Sequence, residues 1–147
     1  MSRSDPTFLS GTGEITQDWD RLAAHLADQG ITLDKDVAPR QFSSGFGNLN
    51  YLISIDNQLR VLRRPPLGPV QPGSNDMGRE GRVLMRIWKA YPLSPGGYHF
   101  AEDSAILGGR FFILIFGACG GIFFIFSSAQ AVAGSFSMLF FGACGGI

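Results

Sequence analysis

The sequence predicts an α+β domain: an antiparallel sheet of five strands, with one helix ahead of it and one helix inserted after the third strand. Three observations predict it. An apolar stripe at helical spacing comes early in the chain. Three short strand-like segments then follow between residues 41 and 63, with hairpin chemistry at Asp56-Asn57. A second helical stripe over residues 76–90 precedes two more strand-like segments.

The first helix takes Thr16 or Asp18 as its cap. Trp19, Leu22, Ala23 and Leu26 recur on one face, and Gly30 can end it. The strands read as Gln41–Ser44, Tyr51–Asp56 and Leu59–Arg63, with the loop 45–50 between the first two. Pro65, Pro66, Pro69 and Pro72 stop the third strand and stiffen the connection. The second helix runs from about Asp76 to Ala90, capped by Ser74 or Asn75, with Met77, Leu84 and Trp88 on its stripe. Pro92, Pro95, Gly96 and Gly97 read as a turn. Phe100–Asp103 and Ala105–Leu114 read as the last two strands, with Gly108-Gly109 between them. Trp19 and Trp88 are expected to anchor helices on the sheet.

Composition divides the chain. It has 147 residues, enough for one domain, with 12 basic and 12 acidic residues in balance. No basic excess marks a nucleic-acid surface. A hydrophobic content of 45% excludes disorder of the whole chain. Every charged residue lies at or before Arg110, whereas 111–147 hold nine of the 13 Phe and both Cys. Cys119 and Cys144 each sit in the same heptamer, Phe-Gly-Ala-Cys-Gly-Gly-Ile, with no zinc-ligand spacing around them. The amino-terminal residues carry no apolar run of the secretory kind, and residues 1–110 have no Cys, so a cytoplasmic location is expected.

Three features combine into candidate chemistry. Gly45 and Gly47 open the loop 45–50, where backbone amides can approach a phosphate closely. A lone Gly-x-Gly in a hairpin is more often only a turn. Arg63 places a cation on the following strand, where its bland role is a solvated edge residue. Glu80 falls on the stripe between Met77 and Leu84, and a carboxylate on an apolar stripe needs a partner. That partner is Arg63 across the structure, or Arg82 or Arg86 on the same helix. Loop, strand cation and helix carboxylate in this order are the nucleotide-binding half of a protein-kinase-like arrangement. His25 and His99 have no carboxylate or Cys at catalytic spacing, and packing roles are expected of both.

The segments 41–52, 59–68 and 78–84 resemble the first blocks of aminoglycoside-phosphotransferase-like small-molecule kinases. They are most similar to the phosphotransferase domain found alone or fused to acyl-CoA dehydrogenases. The match runs over about residues 15–114, and Glu102-Asp103 and Gly108–Phe112 resemble the strands leading to the hinge. The resemblance implies a protein-kinase-like N-terminal lobe over 14–114, after a flexible 1–13 and before an apolar tail, 115–147. It implies an ATP-dependent phosphotransferase acting on a hydroxyl of a small molecule, plausibly a hydroxyacyl compound. Gly45, Gly47 and Asn48 then stand at the ATP phosphates. Arg63 takes the place usually held by the phosphate-binding lysine, and Glu80 orients it. Phe46 stands where glutamine is commoner and Gly47 where serine is commoner.

The family's catalytic aspartate, asparagine and magnesium-binding aspartate have no counterpart in 111–147, which contain no Asp, Glu, Asn, Lys, Arg or His. The chain by itself is therefore expected to bind nucleotide at most, without its Mg2+ ligands and without turnover. Three readings of the tail stay open: a shifted reading frame or truncated coding sequence, a membrane segment through 111–147, and an interaction tail. The membrane reading gives the functional alternative, a non-catalytic kinase-like module held at a membrane. Its apolar stretch 111–126 is shorter than the roughly 20 residues that a spanning helix needs.

Overall fold

In a computed structural model of the chain, the described residues are 7–43, 47–69, 76–91 and 94–115, with the backbone of 122–126 and 137–141. Helix α1 spans Trp19–Ala27. Strands β1 (Arg40–Gln41), β2 (Leu49–Ile55) and β3 (Gln58–Arg64) lead to helix α2 (Met77–Ala90). Strand β4 (Gly96–Ala101), the short helix α3 (Ser104–Leu107) and β5 (Phe111–Ile115) follow. The five strands form one antiparallel sheet, as expected, and their order is β1-β2-β3-β5-β4.

The hairpin turn fixes the register. Asp56 and Asn57 both take left-handed backbone, at φ 50° and 60°. Asx residues tolerate that region, and two such residues match the twist of the flanking strands. The turn sets Asn50 opposite Arg63, Tyr51 opposite Leu62 and Leu52 opposite Val61. Asp34 braces it from outside, accepting from Ser54 Oγ at 2.6 Å and from the Asn57 amide at 2.7 Å.

Strand alternation gives the sheet two apolar faces, and each is covered. On one, Tyr51, Ile53, Leu62 and Ile113 pack against Leu22 and Leu26 of α1. On the other, Val61, Phe112 and Leu114 pack against Met77 and Leu84 of α2. Each such side chain contributes about 1.5–3 kcal/mol when fully buried. Asp18 is the cap of α1, accepting from the Arg21 amide, and Trp19 meets the Tyr51 ring edge-on at 5.3 Å. Phe8 bridges Phe42, and Leu9 donates to the Gln41 carbonyl at 2.8 Å, so residues 7–9 run beside β1.

Several local expectations need correction. The cap of α2 is Asp76, whose carboxylate accepts from the Arg79 amide at 3.0 Å, rather than Ser74 or Asn75. The expected strand Gln41–Ser44 is instead the two-residue β1, with Phe42 in the bridge to Phe8. Residues 104–107 are helical rather than extended. Asp103 caps them through the Ala105 amide at 2.8 Å, and Gly108 ends them at φ 76°. Gly96 and Gly97 lie in β4 rather than in a turn. A Cβ on Gly96 would come within 2.8 Å of Trp88 and 2.9 Å of Ile115, so glycine is there to let α2 press on the sheet. Trp88 is accordingly a helix-to-sheet contact, as expected. In the tail, β6 (Ile122–Phe126) pairs antiparallel with β7 (Ser137–Phe141). Among the described residues, no helix is long and apolar enough to cross a membrane.

Candidate functional site

The site is built at the start of β2 and the end of β3, on the α2 face of the sheet. Gly47 has φ 92°, a left-handed conformation that a side chain would strain. Serine at this position would therefore be disfavoured. Asn48 follows and is buried. Its hydrogen-bonding surroundings orient the amide: the oxygen accepts from Arg63 Nη2 at 2.8 Å, and the nitrogen donates to the Gly47 carbonyl at 2.9 Å.

Arg63 and Glu80 are brought together as an ion pair, Nε to Oε1 at 2.8 Å, with side chains only 4% and 12% exposed. Among the described residues, the helix-internal alternatives, Arg82 and Arg86, form no ion pair with Glu80. Two things carry Glu80 to the sheet. The Asp76 cap places it in the first turn of α2, and the buried Gly78 and Gly81 face the Phe100 ring of β4. Arg63 Nη1 also donates to Asn50 Oδ1 at 3.0 Å. The guanidinium thus joins the loop end, both strands of the hairpin and α2.

The electrostatics follow from burial. Loss of water pushes the Glu80 carboxyl above the usual range, and the charge of Arg63 pulls against that push. Burial likewise lowers the affinity of Arg63 for its proton, and Glu80 opposes the shift. The 2.8 Å contact is what makes two buried charges tolerable at this depth.

Of the sequence-predicted residues, Gly47, Asn48, Arg63 and Glu80 converge here, and Gly45 lies outside the described residues. Asn50 was missed. Its signal was available, because a turn centred on residues 56 and 57 puts Asn50 across from Arg63 on the same face. Arg64 was also missed. It points to the opposite face and is buried there, donating to Gln17 Oε1, to the Leu107 carbonyl and, at 3.2 Å, to the Pro65 carbonyl. Gln17 in turn donates to the Tyr51 hydroxyl at 2.8 Å, and that hydroxyl donates to the Ile15 carbonyl at 2.7 Å.

An arginine oriented by a buried carboxylate, at the mouth of a glycine-containing loop, has the chemistry to hold a phosphate oxygen. Among the described residues no group of three or more His, Cys, Asp or Glu could hold a metal.

No family model matches the chain. Over 84 residues it is 31% identical to acyl-CoA dehydrogenase family member 10 of Mus musculus, covering 57% of this chain and 8% of that protein. Over 78 residues it is 29% identical to acyl-CoA dehydrogenase family member 11 of Gallus gallus, covering 53% of this chain and 10% of that protein. A crystal structure described as an aminoglycoside phosphotransferase of Ralstonia eutropha JMP134 superposes with a TM-score of 0.52 at 21% identity. That match covers 70% of this chain and 29% of the other. The chain therefore spans a tenth or less of these curated relatives and under a third of the structural neighbour. In fold, its five-stranded sheet and helices are those of a kinase-like N-terminal lobe, similar to an aminoglycoside phosphotransferase; in sequence, just over half of it resembles the two acyl-CoA dehydrogenase family members.

Proposed function

We propose that residues 14–114 are the ATP-binding lobe of a phosphotransferase that modifies a hydroxyl of a small molecule such as a hydroxyacyl compound. The observation that carries this reading is the buried Arg63–Glu80 pair at the end of the Gly47-Asn48 loop. Arg63 gives its two terminal nitrogens to neutral amide oxygens of Asn48 and Asn50. Phosphate oxygens are stronger acceptors than amides, so these donors can be exchanged for them while Nε stays on Glu80. Glu80 holds the guanidinium in place, and the loop contributes backbone amides.

Phosphoryl transfer needs a base and metal ligands besides a phosphate cradle. Residues 111–147 contain no Asp, Glu, Asn, Lys, Arg or His. The 147-residue chain is therefore expected to bind nucleotide without turning it over. The lobe belongs to a cytoplasmic enzyme in this reading. A membrane-held, non-catalytic module remains the second reading, favoured by the uncharged Phe-rich tail. Retention on membranes through high salt and alkaline washing would select it.

The test is titration of the purified chain with a fluorescent ATP analogue, alongside Arg63→Met and Asn48→Ala. Arg63→Met should weaken binding by about ten- to a hundredfold, the worth of a charged hydrogen bond of about 1.5–3 kcal/mol, and Asn48→Ala, which removes a neutral group beside the phosphate, should weaken it less. Unchanged affinity in folded variants would overturn the assignment, and so would ATP-dependent phosphorylation by the chain alone.

A further inference from the structure

On the face of the sheet opposite the candidate phosphate site, His25 of α1 and His99 of β4 meet end to end. Their Nε2 atoms are 3.0 Å apart and their ring centroids 5.1 Å apart, with the planes tilted by 57°. Both side chains are half-buried, and both rings lie 6.3 Å from the ring of Phe111 beneath them. We propose that His25 and His99 form a two-imidazole site for a divalent transition-metal ion, which staples helix α1 to strand β4.

The geometry suits a metal. Zinc–imidazole bonds of about 2.0–2.1 Å at a tetrahedral angle hold two ligating nitrogens about 3.3 Å apart. The recorded separation is within a few tenths of an ångström of that. Without a metal, one Nε2 must carry the hydrogen and the other the lone pair, since two facing lone pairs would repel. Metal binding shifts the donating ring to its other tautomer, its hydrogen moving from Nε2 to Nδ1, so that both neutral rings offer an Nε2 lone pair, with water completing the coordination.

The surroundings agree. Arg21, one turn before His25, is turned toward the Asp18 carboxylate and the Ala105 carbonyl. The two ligands sit on elements already fixed by the Leu22, Leu26 and Phe111 core, so little ordering is left for the metal to impose. Imidazole favours copper, nickel and zinc over magnesium or calcium.

The test uses the full chain with Cys119→Ser and Cys144→Ser, which removes the thiols as competing ligands. Cu2+ titration followed by electron paramagnetic resonance should give one site with coupling to two imidazole nitrogens. His25→Gln or His99→Gln should each reduce that to one nitrogen and weaken binding by about tenfold or more, since the chelate is lost. Zn2+ should raise the unfolding temperature of the parent and of neither variant. Copper bound by fewer than two imidazole nitrogens in the parent overturns the proposal, whatever the variants do. Zinc stabilisation that survives in the folded variants overturns it as well.

Discussion

Arg63 and Arg64 are neighbours on β3, both buried, and the pleat sends them to opposite faces of one sheet. Their surroundings differ in kind. Arg63 has a carboxylate, Glu80, and two asparagine amides. Arg64 has Gln17, two backbone carbonyls and, among the described residues, no ion pair. A carboxylate fixes the direction of a cation and leaves its other donors exchangeable. Neutral acceptors drawn from residues 17, 65 and 107 instead make the cation a cross-link between the segment before α1, the end of β3 and the end of α3. The difference separates a ligand-facing arginine from a structural one, and it can be tested at several strengths.

The largest effect is expected from Glu80→Ala. It leaves a buried guanidinium without its counter-charge and should cost about 3–5 kcal/mol in urea unfolding. The double change Arg63→Met with Glu80→Leu removes both charges and should restore most of that loss, without restoring nucleotide affinity. Arg64→Met is expected to be milder. It removes a desolvated charge but strands Gln17 Oε1 and the Leu107 carbonyl, for a loss of about 1–3 kcal/mol. Nucleotide affinity should survive it, and a folded Arg64→Met chain that no longer binds would erase the distinction.

Gly96→Ala probes the α2 face alone. Its Cβ would press on Trp88 and Ile115, and thermal unfolding should report about 1–3 kcal/mol lost by overpacking. A neutral result would mean that α2 can move off the sheet, and with it Glu80. The smallest effect is on the α1 face. His99 is held below its ordinary value of 6.5, so the unfolded chain takes up a proton first as pH falls. Its contribution is full above about pH 6.5 and is lost progressively below it. Denaturation midpoints measured across pH 7.5 to 5 should therefore fall toward acid, with a shallower slope in His99→Gln.

Much of this was legible in the sequence, for local reasons. Asp56-Asn57 fixes a turn, the turn fixes the register, and the register places Arg63 on the face that α2 covers. Glu80 needed a partner because Met77 and Leu84 flank it on one stripe, and Arg63 is that partner. What was not legible depended on contacts between distant segments. Residues 104–107 alternate too weakly to reveal a helix, and only the Asp103 cap and Gly108 define it. Gly96 and Gly97 read as a turn because glycine in β4 makes sense only once Trp88, Ile115 and Met85 are seen above it. Arg64 gave no sign of burial, since its acceptors come from residues 17 and 107. His25 and His99 are 74 positions apart and carry no local signal of each other.

The most direct measurement is nuclear magnetic resonance of the arginine side-chain Nε–Hε groups during titration with ATP. The Arg63 signal, identified by its absence in Arg63→Met, should shift, together with the backbone amides of Gly47 and Asn48. The Arg64 signal should stay in place. Movement of Arg64 with a stationary Arg63, or movement of neither, would contradict the assignment of Arg63 and Glu80 as the nucleotide-facing pair.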